Sequence, residues 1–208
     1  GMPNGRTSDT YTGTDGVSYA GISDRNIYAQ TNPVLRGKDV PMVLQTYAEV
    51  EFLLTEMAIR GWIASSAASH YNNGVTAAMK MLKQLYPGST AITDAQISAY
   101  LAGPGKFAGA NEAGWAQAMS EYWKATFLNE YEAYANWRRT SGATPFGDRP
   151  NGYPSLTPTK HPNSETNNQI MRRMIYPGGE SATNGDNYAE AISRQGADDW
   201  MTRMWWDK

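Results

Sequence analysis

The sequence contains no cysteine, and this absence removes several kinds of chemistry at once. Disulfide bonds, thiolate metal sites and cysteine nucleophiles are all excluded. Positive charge is not in excess either, because 18 Lys and Arg residues stand against 20 Asp and Glu residues, for a net charge of −2. A protein that neutralises a phosphate backbone needs a basic surface. We therefore expect no nucleic acid among its partners.

Recognisable catalytic motifs are also missing. The sequence has neither a phosphate-binding P-loop nor a Gly-x-Ser-x-Gly turn. Its two histidines, His70 and His161, have no second histidine at helical spacing with which to form a zinc site. Neighbouring glutamates on a predicted helix, such as Glu130 and Glu132, point apart, which does not suit a glycosidase carboxylate pair. We expect no catalytic residue, no metal and no cofactor, although carboxylate pairs between different helices stay open.

The chain does contain many aromatic residues, 12% of the sequence, in a background of neutral polar side chains. Most of them recur with aliphatic residues at helical spacing, which predicts amphipathic helices. The predicted helices cover 40–60, with Asp39 as N-cap and Gly61 as the stop, 67–86, a short helix capped by Thr93 that ends at 101, 112–139, with Asn111 as N-cap, and 187–194. The residues predicted to face the core on the first helix are Val43, Tyr47, Val50, Leu54 and Met57. Those on the longest helix are Ala116, Met119, Trp123, Phe127, Tyr131 and Tyr134.

The segment 140–168 interrupts this helical pattern. Seven Gly and Pro residues fall between Pro145 and Pro162, and they forbid a regular element. Tyr153 lies among them and has no periodic core face to join. An exposed aromatic ring offers a flat apolar face to a sugar, so Tyr153 is the first candidate for a ligand contact and Trp115 the second. The alternative is that Tyr153 anchors the loop onto the helices.

Two arginine pairs, Arg138–Arg139 and Arg172–Arg173, are the other conspicuous polar feature. Either pair is able to bind a carboxylate or a phosphate group of a ligand. We expect all four to be structural instead, because the acidic residues nearby match them in number and charged hydrogen bonds of this kind are strong. The acidic partners expected for them, besides loop carbonyl groups, are Glu130, Glu132 and Glu180.

Four stretches of the sequence, taken together, resemble one protein family. They are YAEVEFLLTEMAIRGW at 47–62, NEYEAYANWRRT at 129–140, RRMIYPGGE at 172–180 and TRMWWDK at 202–208. In this order they are similar to the SusD/RagB-like outer-membrane lipoproteins of Bacteroidetes. One departure is that residues 141–151 separate WRRT from the Gly-Tyr-Pro turn that follows it directly in the family, which indicates an insertion.

The resemblance implies a fold, a function and a location. Members of the family are mostly α-helical, with tetratricopeptide-like helix pairs and long irregular loops. They bind nutrients, often glycans, without catalysis, and they cover a TonB-dependent porin of the SusC type. A lipidated cysteine anchors them to the cell outer membrane as surface-exposed lipoproteins. Residues 1–208 would then be the C-terminal part of a SusD-like domain, without the N-terminal part and its anchor.

Two further functions stay open beside nutrient binding. One is a helical module that binds only protein, here the porin subunit. The other is an uncharacterised glycan-processing enzyme. Sugar binding on an array would distinguish nutrient binding from the protein-binding module. A pair of buried carboxylates in a cleft would favour the glycan-processing enzyme. The family motifs identify no ligand-binding residue, and we expect their arginines and tryptophans to be part of the structural scaffold.

Overall fold

A computed structural model describes residues 10–19, 31–141, 143–144, 146–148, 153–154, 162–166, 169 and 171–206. Within these ranges, regular structure is almost entirely helical, which confirms the predicted fold class. The helices are α1 (Tyr47–Ile59), α2 (Ala67–Leu85), α3 (Asp94–Ala102), α4 (Glu112–Ala125), α5 (Glu130–Thr140), α6 (Glu180–Thr183) and α7 (Gly185–Gln195), with a 3-10 turn at Pro33–Arg36. None of these helices is both long and apolar enough to cross a membrane.

Strands contribute only two short hairpins to the part of the chain that the structure describes. Strand β1 (Tyr11–Thr12) pairs antiparallel with β2 (Ser18–Tyr19), so that Tyr11 lies opposite Tyr19. Strand β3 (Ala143–Thr144) pairs in the same sense with β4 (Gly147–Asp148). The second hairpin lies within the segment 140–168, so the expectation that its Gly and Pro residues forbid any regular element is wrong at β4.

The chain divides into two compact units. The first is Thr31–Pro154, which contains α1 to α5 and the second hairpin. The other combines both ends of the chain, Gly1–Gln30 and Ser155–Lys208, and contains α6 and α7. All candidate contacts for a ligand discussed below lie in the first unit.

The beginning of α1 is fixed by a capping box rather than by Asp39. The Thr46 hydroxyl accepts a hydrogen bond from the backbone N–H of Glu49, and the Glu49 carboxylate accepts one from the backbone N–H of Thr46. Two helical N–H groups that would lack a partner are satisfied in this way. The helix therefore starts at Tyr47, and the predicted start at Val40 is wrong.

The buried face of α1 also differs from the prediction. Tyr47 and Val50 were expected in the core, but they are 63% and 37% exposed. Glutamates occupy part of the buried face, and each has a hydrogen-bond partner that makes its burial tolerable. The buried residues of α1 are Ala48, Glu49, Glu51, Phe52, Thr55 and Glu56.

The single helix predicted over 112–139 is in fact two helices, α4 and α5. The Thr126 hydroxyl donates to carbonyl oxygens of the preceding turn, and Leu128 takes a left-handed conformation with φ 72°. A left-handed residue cannot continue an α-helix. The predicted core face fails around this break, where Phe127 is 55% and Tyr131 90% exposed.

Aromatic rings form the centre of the first unit. Phe52 of α1 stacks on Tyr122 of α4, with ring centroids 6.0 Å apart and planes at 19°. The edge of Phe52 meets Tyr71 of α2 at 6.3 Å. Helix α2 approaches closely because Gly74 has no side chain, and a Cβ there would lie 2.9 Å from the Phe52 ring. Helices α1, α2 and α4 thus share one core.

Candidate functional site

The two aromatic residues singled out in the sequence lie against each other. The Tyr153 ring meets Trp115 edge-on, with centroids 4.9 Å apart and planes at 77°. The backbone N–H of Tyr153 donates to the Thr140 hydroxyl at 3.1 Å. Tyr153 is half-buried, whereas Trp115 is 0% exposed. The expectation that Trp115 contacts a ligand is therefore corrected, because its ring has no surface that a sugar could touch.

A different tryptophan, Trp62, is exposed at the end of α1. Gly61 has φ 72°, and its N–H donates to the Ala58 carbonyl, while the N–H of Trp62 donates to the Met57 carbonyl at 2.9 Å. A hydrophobic side chain at this position after a helix usually packs back on the last turn. Trp62 instead stays 66% exposed.

Arg60 connects Trp62 with the buried Trp115. Its guanidinium carbon lies 5.0 Å from the Trp62 ring centroid and 6.0 Å from that of Trp115. Cations at such distances are attracted to the electron-rich face of an indole. Arg60 therefore lies beside both tryptophan rings, and Tyr153 contacts one of them, Trp115. Sequence reasoning assigned Trp62 to the scaffold, although a tryptophan directly after a glycine helix stop has no helical face to join.

Arg139, on α5, is paired with a carboxylate on α1. Its guanidinium reaches both oxygens of Glu56, at 2.9 Å and 2.7 Å. The Arg60 Nε donates to the same carboxylate at 2.8 Å. Burial raises the pKa of Glu56, but the hydrogen bonds and charges of Arg139 and Arg60 outweigh it and hold this pKa below its ordinary value. The partner is thus Glu56, and not the Glu130 or Glu132 expected for Arg139.

The other three arginines are also placed within the fold. Arg138 and Arg172 are 6% and 4% exposed. The backbone N–H of Arg172 donates to the Trp200 carbonyl at 2.7 Å. Arg173 binds Asp198 at 3.1 Å and not the expected Glu180. Arg139, Arg172 and Arg173 thus have partners within their own units, and the structural role of the four arginines stays a prediction.

A second buried glutamate, Glu51, organises a polar cluster between α1 and α2. Its carboxylate contacts Nδ1 of His70 at 2.6 Å and accepts a hydrogen bond from the Tyr47 hydroxyl. The Nε2 of His70 lies 2.8 Å from the hydroxyl of Ser65. Burial raises the pKa of Glu51, but these hydrogen bonds together hold the pKa below its ordinary value. Sequence reasoning missed this cluster because the contact between Glu51 and His70 joins two different helices.

The order Ser65–His70–Glu51 is that of a hydrolytic triad, in which a carboxylate orients an imidazole towards a hydroxyl. The two distances of 2.8 Å and 2.6 Å suit such a relay. The same bonds also suit a fixed polar surface, since they set the orientation of the exposed Ser65 hydroxyl and of the half-buried His70 ring. Across the described ranges, no group of three His, Cys, Asp or Glu side chains is arranged to hold a metal ion.

Comparison with known proteins decides the family. A family model described as "Starch-binding associating with outer membrane" matches residues 4–177. The chain belongs to the SusD-like family. The resemblance seen in the sequence motifs is thereby confirmed. No curated protein matches the chain at a significant level.

Solved structures share the fold of this SusD-like chain. A chitin-binding protein is 35% identical and covers 85% of the chain, with a TM-score of 0.69. A protein described as Bacteroidetes AC2a SusD-like is also 35% identical over 85% of the chain, with a TM-score of 0.70. A chitin-binding SusD homolog from Flavobacterium johnsoniae is 26% identical over 77%, with a TM-score of 0.56. The chain spans 36%, 32% and 36% of these three proteins, about a third of their length.

Proposed function

We propose that this chain is part of a non-catalytic glycan-binding protein that serves nutrient uptake at an outer membrane. Membership of the SusD-like family carries the proposal, because the family model is described as starch-binding. Two of the similar structures are named as chitin-binding. Starch and chitin are both neutral polymers of pyranose units, so the proposed ligand class is a neutral oligosaccharide.

Tyr153 is retained as a proposed ligand contact. Its side chain meets Trp115 at an interplanar angle of 77° and is only half-buried, so part of it remains accessible to a sugar. The four arginines Arg138, Arg139, Arg172 and Arg173 are proposed as structural. Removing Tyr153 should affect binding more than removing an arginine that has a carboxylate partner.

Direct titration tests glycan binding by this chain. Chitohexaose and maltoheptaose, added to the full 208-residue chain, should bind with a Kd on the order of 1 mM, about −4 kcal/mol. A shallow site buries little ligand surface, which limits the affinity. Mannitol at the same concentration is the control for non-specific effects of a polyol. A chain that binds neither oligosaccharide, nor any member of a glycan array, would refute glycan binding by this part of the protein.

The partner and the location belong to the same proposal. We infer that the whole protein is a surface-exposed lipoprotein that covers a SusC-like TonB-dependent porin. Purification of the tagged whole protein from its native cells in mild detergent should bring the porin with it in a defined ratio. Protease added to intact cells should cleave the protein. Purification without a porin, or protection from the protease, would contradict this part.

Acyl hydrolysis is the second candidate function, and the Ser65–His70–Glu51 order favours it. Ser65 would be the nucleophile and His70 the general base in such a reaction. The family description favours binding, so we rank this function second. A fluorophosphonate probe that labels the chain, but not its Ser65→Ala variant, would establish it. A chain that stays unlabelled would eliminate it.

A further inference from the structure

We propose that the turn between α1 and α2 forms a sugar-stacking subsite, with the Trp62 ring as its platform. This inference rests on the proposed glycan binding and names one site for it. The observation behind it is the exposure of a large aromatic ring whose surroundings hold it in place. An indole that is 66% exposed forgoes the burial that usually stabilises a tryptophan. A ligand that stacks on the ring would supply that burial.

Two interactions set the orientation of the Trp62 ring, one of its backbone and one of its side chain. On the backbone side, the hydrogen bond from Trp62 N–H to the Met57 carbonyl fixes its position after the helix. On the side-chain side, the Arg60 guanidinium lies over the ring at 5.0 Å. Arg60 is itself held by the buried Glu56 at 2.7–2.8 Å. A fixed platform binds with a smaller loss of conformational entropy than a mobile side chain.

The Arg60 guanidinium also decides which part of the indole is left for a ligand. It lies over one face of the ring, so a ligand would stack on the opposite face. The C–H side of a pyranose is apolar and matches such a face, because an aromatic face carries negative charge and attracts polarised C–H groups. Since the Arg60 guanidinium over the ring is already bound to Glu56, the site favours a neutral sugar over an anionic one.

Polar groups for the sugar hydroxyls lie a short distance along the same turn. Ser65 is exposed and follows Trp62 by three residues, so their Cα atoms are at most about 11 Å apart. Its hydroxyl is fixed by His70, which the buried Glu51 orients from the other side. A hydroxyl both donates and accepts hydrogen bonds. A sugar chain stacked on Trp62 therefore meets an ordered polar group beside the platform.

Removal of the indole is the direct test. The full chain and its Trp62→Ala, Trp62→Phe and Trp205→Ala variants are titrated with chitohexaose and with maltoheptaose. Trp205 is a matched control, because it is 79% exposed and lies in the other unit. Thermal melting of each variant checks that it folds. Trp62 is on the surface, so its loss should leave stability nearly unchanged.

The inference predicts a graded result. Trp62→Ala should weaken binding of at least one oligosaccharide about tenfold, Trp62→Phe less, and Trp205→Ala not at all. In NMR spectra, the indole N–H resonance of Trp62 is identified by its absence from the Trp62→Phe variant. This resonance should shift during the titration. If the unaltered chain binds and Trp62→Ala binds equally well, this inference is wrong while glycan binding stands. If the unaltered chain binds no glycan, both proposals fail.

Discussion

Arg139→Ala should destabilise the first unit, because it removes a cation that is paired with a buried carboxylate. Glu56 is 3% exposed, and Arg139 is the residue that reaches both of its carboxylate oxygens. Arg60 reaches only one of them, Oε1. The substitution therefore leaves a charged oxygen of Glu56 in a buried site without its cation. A change in the melting temperature is expected, without a change in fold.

The magnitude follows from what remains around Glu56. A buried charge that loses its only partner costs about 3–5 kcal/mol, but Arg60 stays in place. The Arg139 side chain is 41% exposed, so water also screens the pair and can reach the gap. We therefore expect a loss of about 2 kcal/mol, within the range of about 1–3 kcal/mol for a buried group left unsatisfied. In a chain of this size, that lowers the melting temperature by roughly 4–8 °C.

The assay is thermal and urea unfolding of Arg139→Ala beside a control in the same unit. Lys80→Ala removes an exposed pair, since Lys80 and its partner Asp94 are 44% and 82% exposed. That control should lose no more than about 0.5 kcal/mol. If both variants melt alike and only Arg139→Ala loses oligosaccharide binding, the arginine is a ligand residue and its structural role is wrong.

The effect of Arg139→Ala should also depend on pH. The folded protein holds the pKa of Glu56 below the ordinary value of 4.5. A depressed carboxyl pKa contributes stability above the unfolded pKa, and this stability is lost as the pH falls through the folded pKa. The difference between the unaltered chain and the variant should thus be complete at pH 7 and shrink below about pH 4.5. A difference that stays constant down to pH 3 would contradict an ionic origin.

Two further substitutions test the surroundings of Trp115. Tyr153→Ala removes an edge-on aromatic contact and should cost about 1–2 kcal/mol in urea unfolding. Lost stability with unchanged oligosaccharide binding would show that Tyr153 only anchors the loop. Lost binding with unchanged stability would show that Tyr153 only contacts the ligand. Gly114→Ala places a Cβ 1.7 Å from the carbonyl oxygen of Gly109, so the backbone must move, and the loss should reach about 3 kcal/mol. Gly178→Ala meets no atom within 4 Å and should change stability by less than about 0.5 kcal/mol. Equal stability of the Gly114→Ala and Gly178→Ala variants would refute the steric argument.

Local sequence signals were sufficient to predict several helix ends. Thr93 was expected to cap α3 and Asn111 to cap α4, and both side chains accept a hydrogen bond from the helix they precede. Gly61 was expected to end α1, and it follows the C-cap residue with φ 72°. A cap is a contact between residues two or three positions apart. The sequence itself therefore contains all the information that such a boundary needs.

Long-range packing decided which side of each helix is buried. The apolar spacing of α1 placed Tyr47 inside, but the fold exposes it and buries Glu56 instead. That carboxylate is paired with Arg139, which lies 83 residues further along the chain. Hydrophobic periodicity cannot predict that a charged residue is buried when its partner comes from a distant part of the chain.

The candidate site shows the same division between local and tertiary information. The sequence by itself determined the family, the helical class and the presence of more aromatic side chains than helical faces can use. It did not determine which aromatic ring is exposed, because exposure depends on what other segments cover. The tertiary structure decided that Trp115 is 0% and Trp62 66% exposed. Trp115 lies within an amphipathic helix whose face meets other helices, whereas Trp62 follows a glycine stop that directs the chain away from the core.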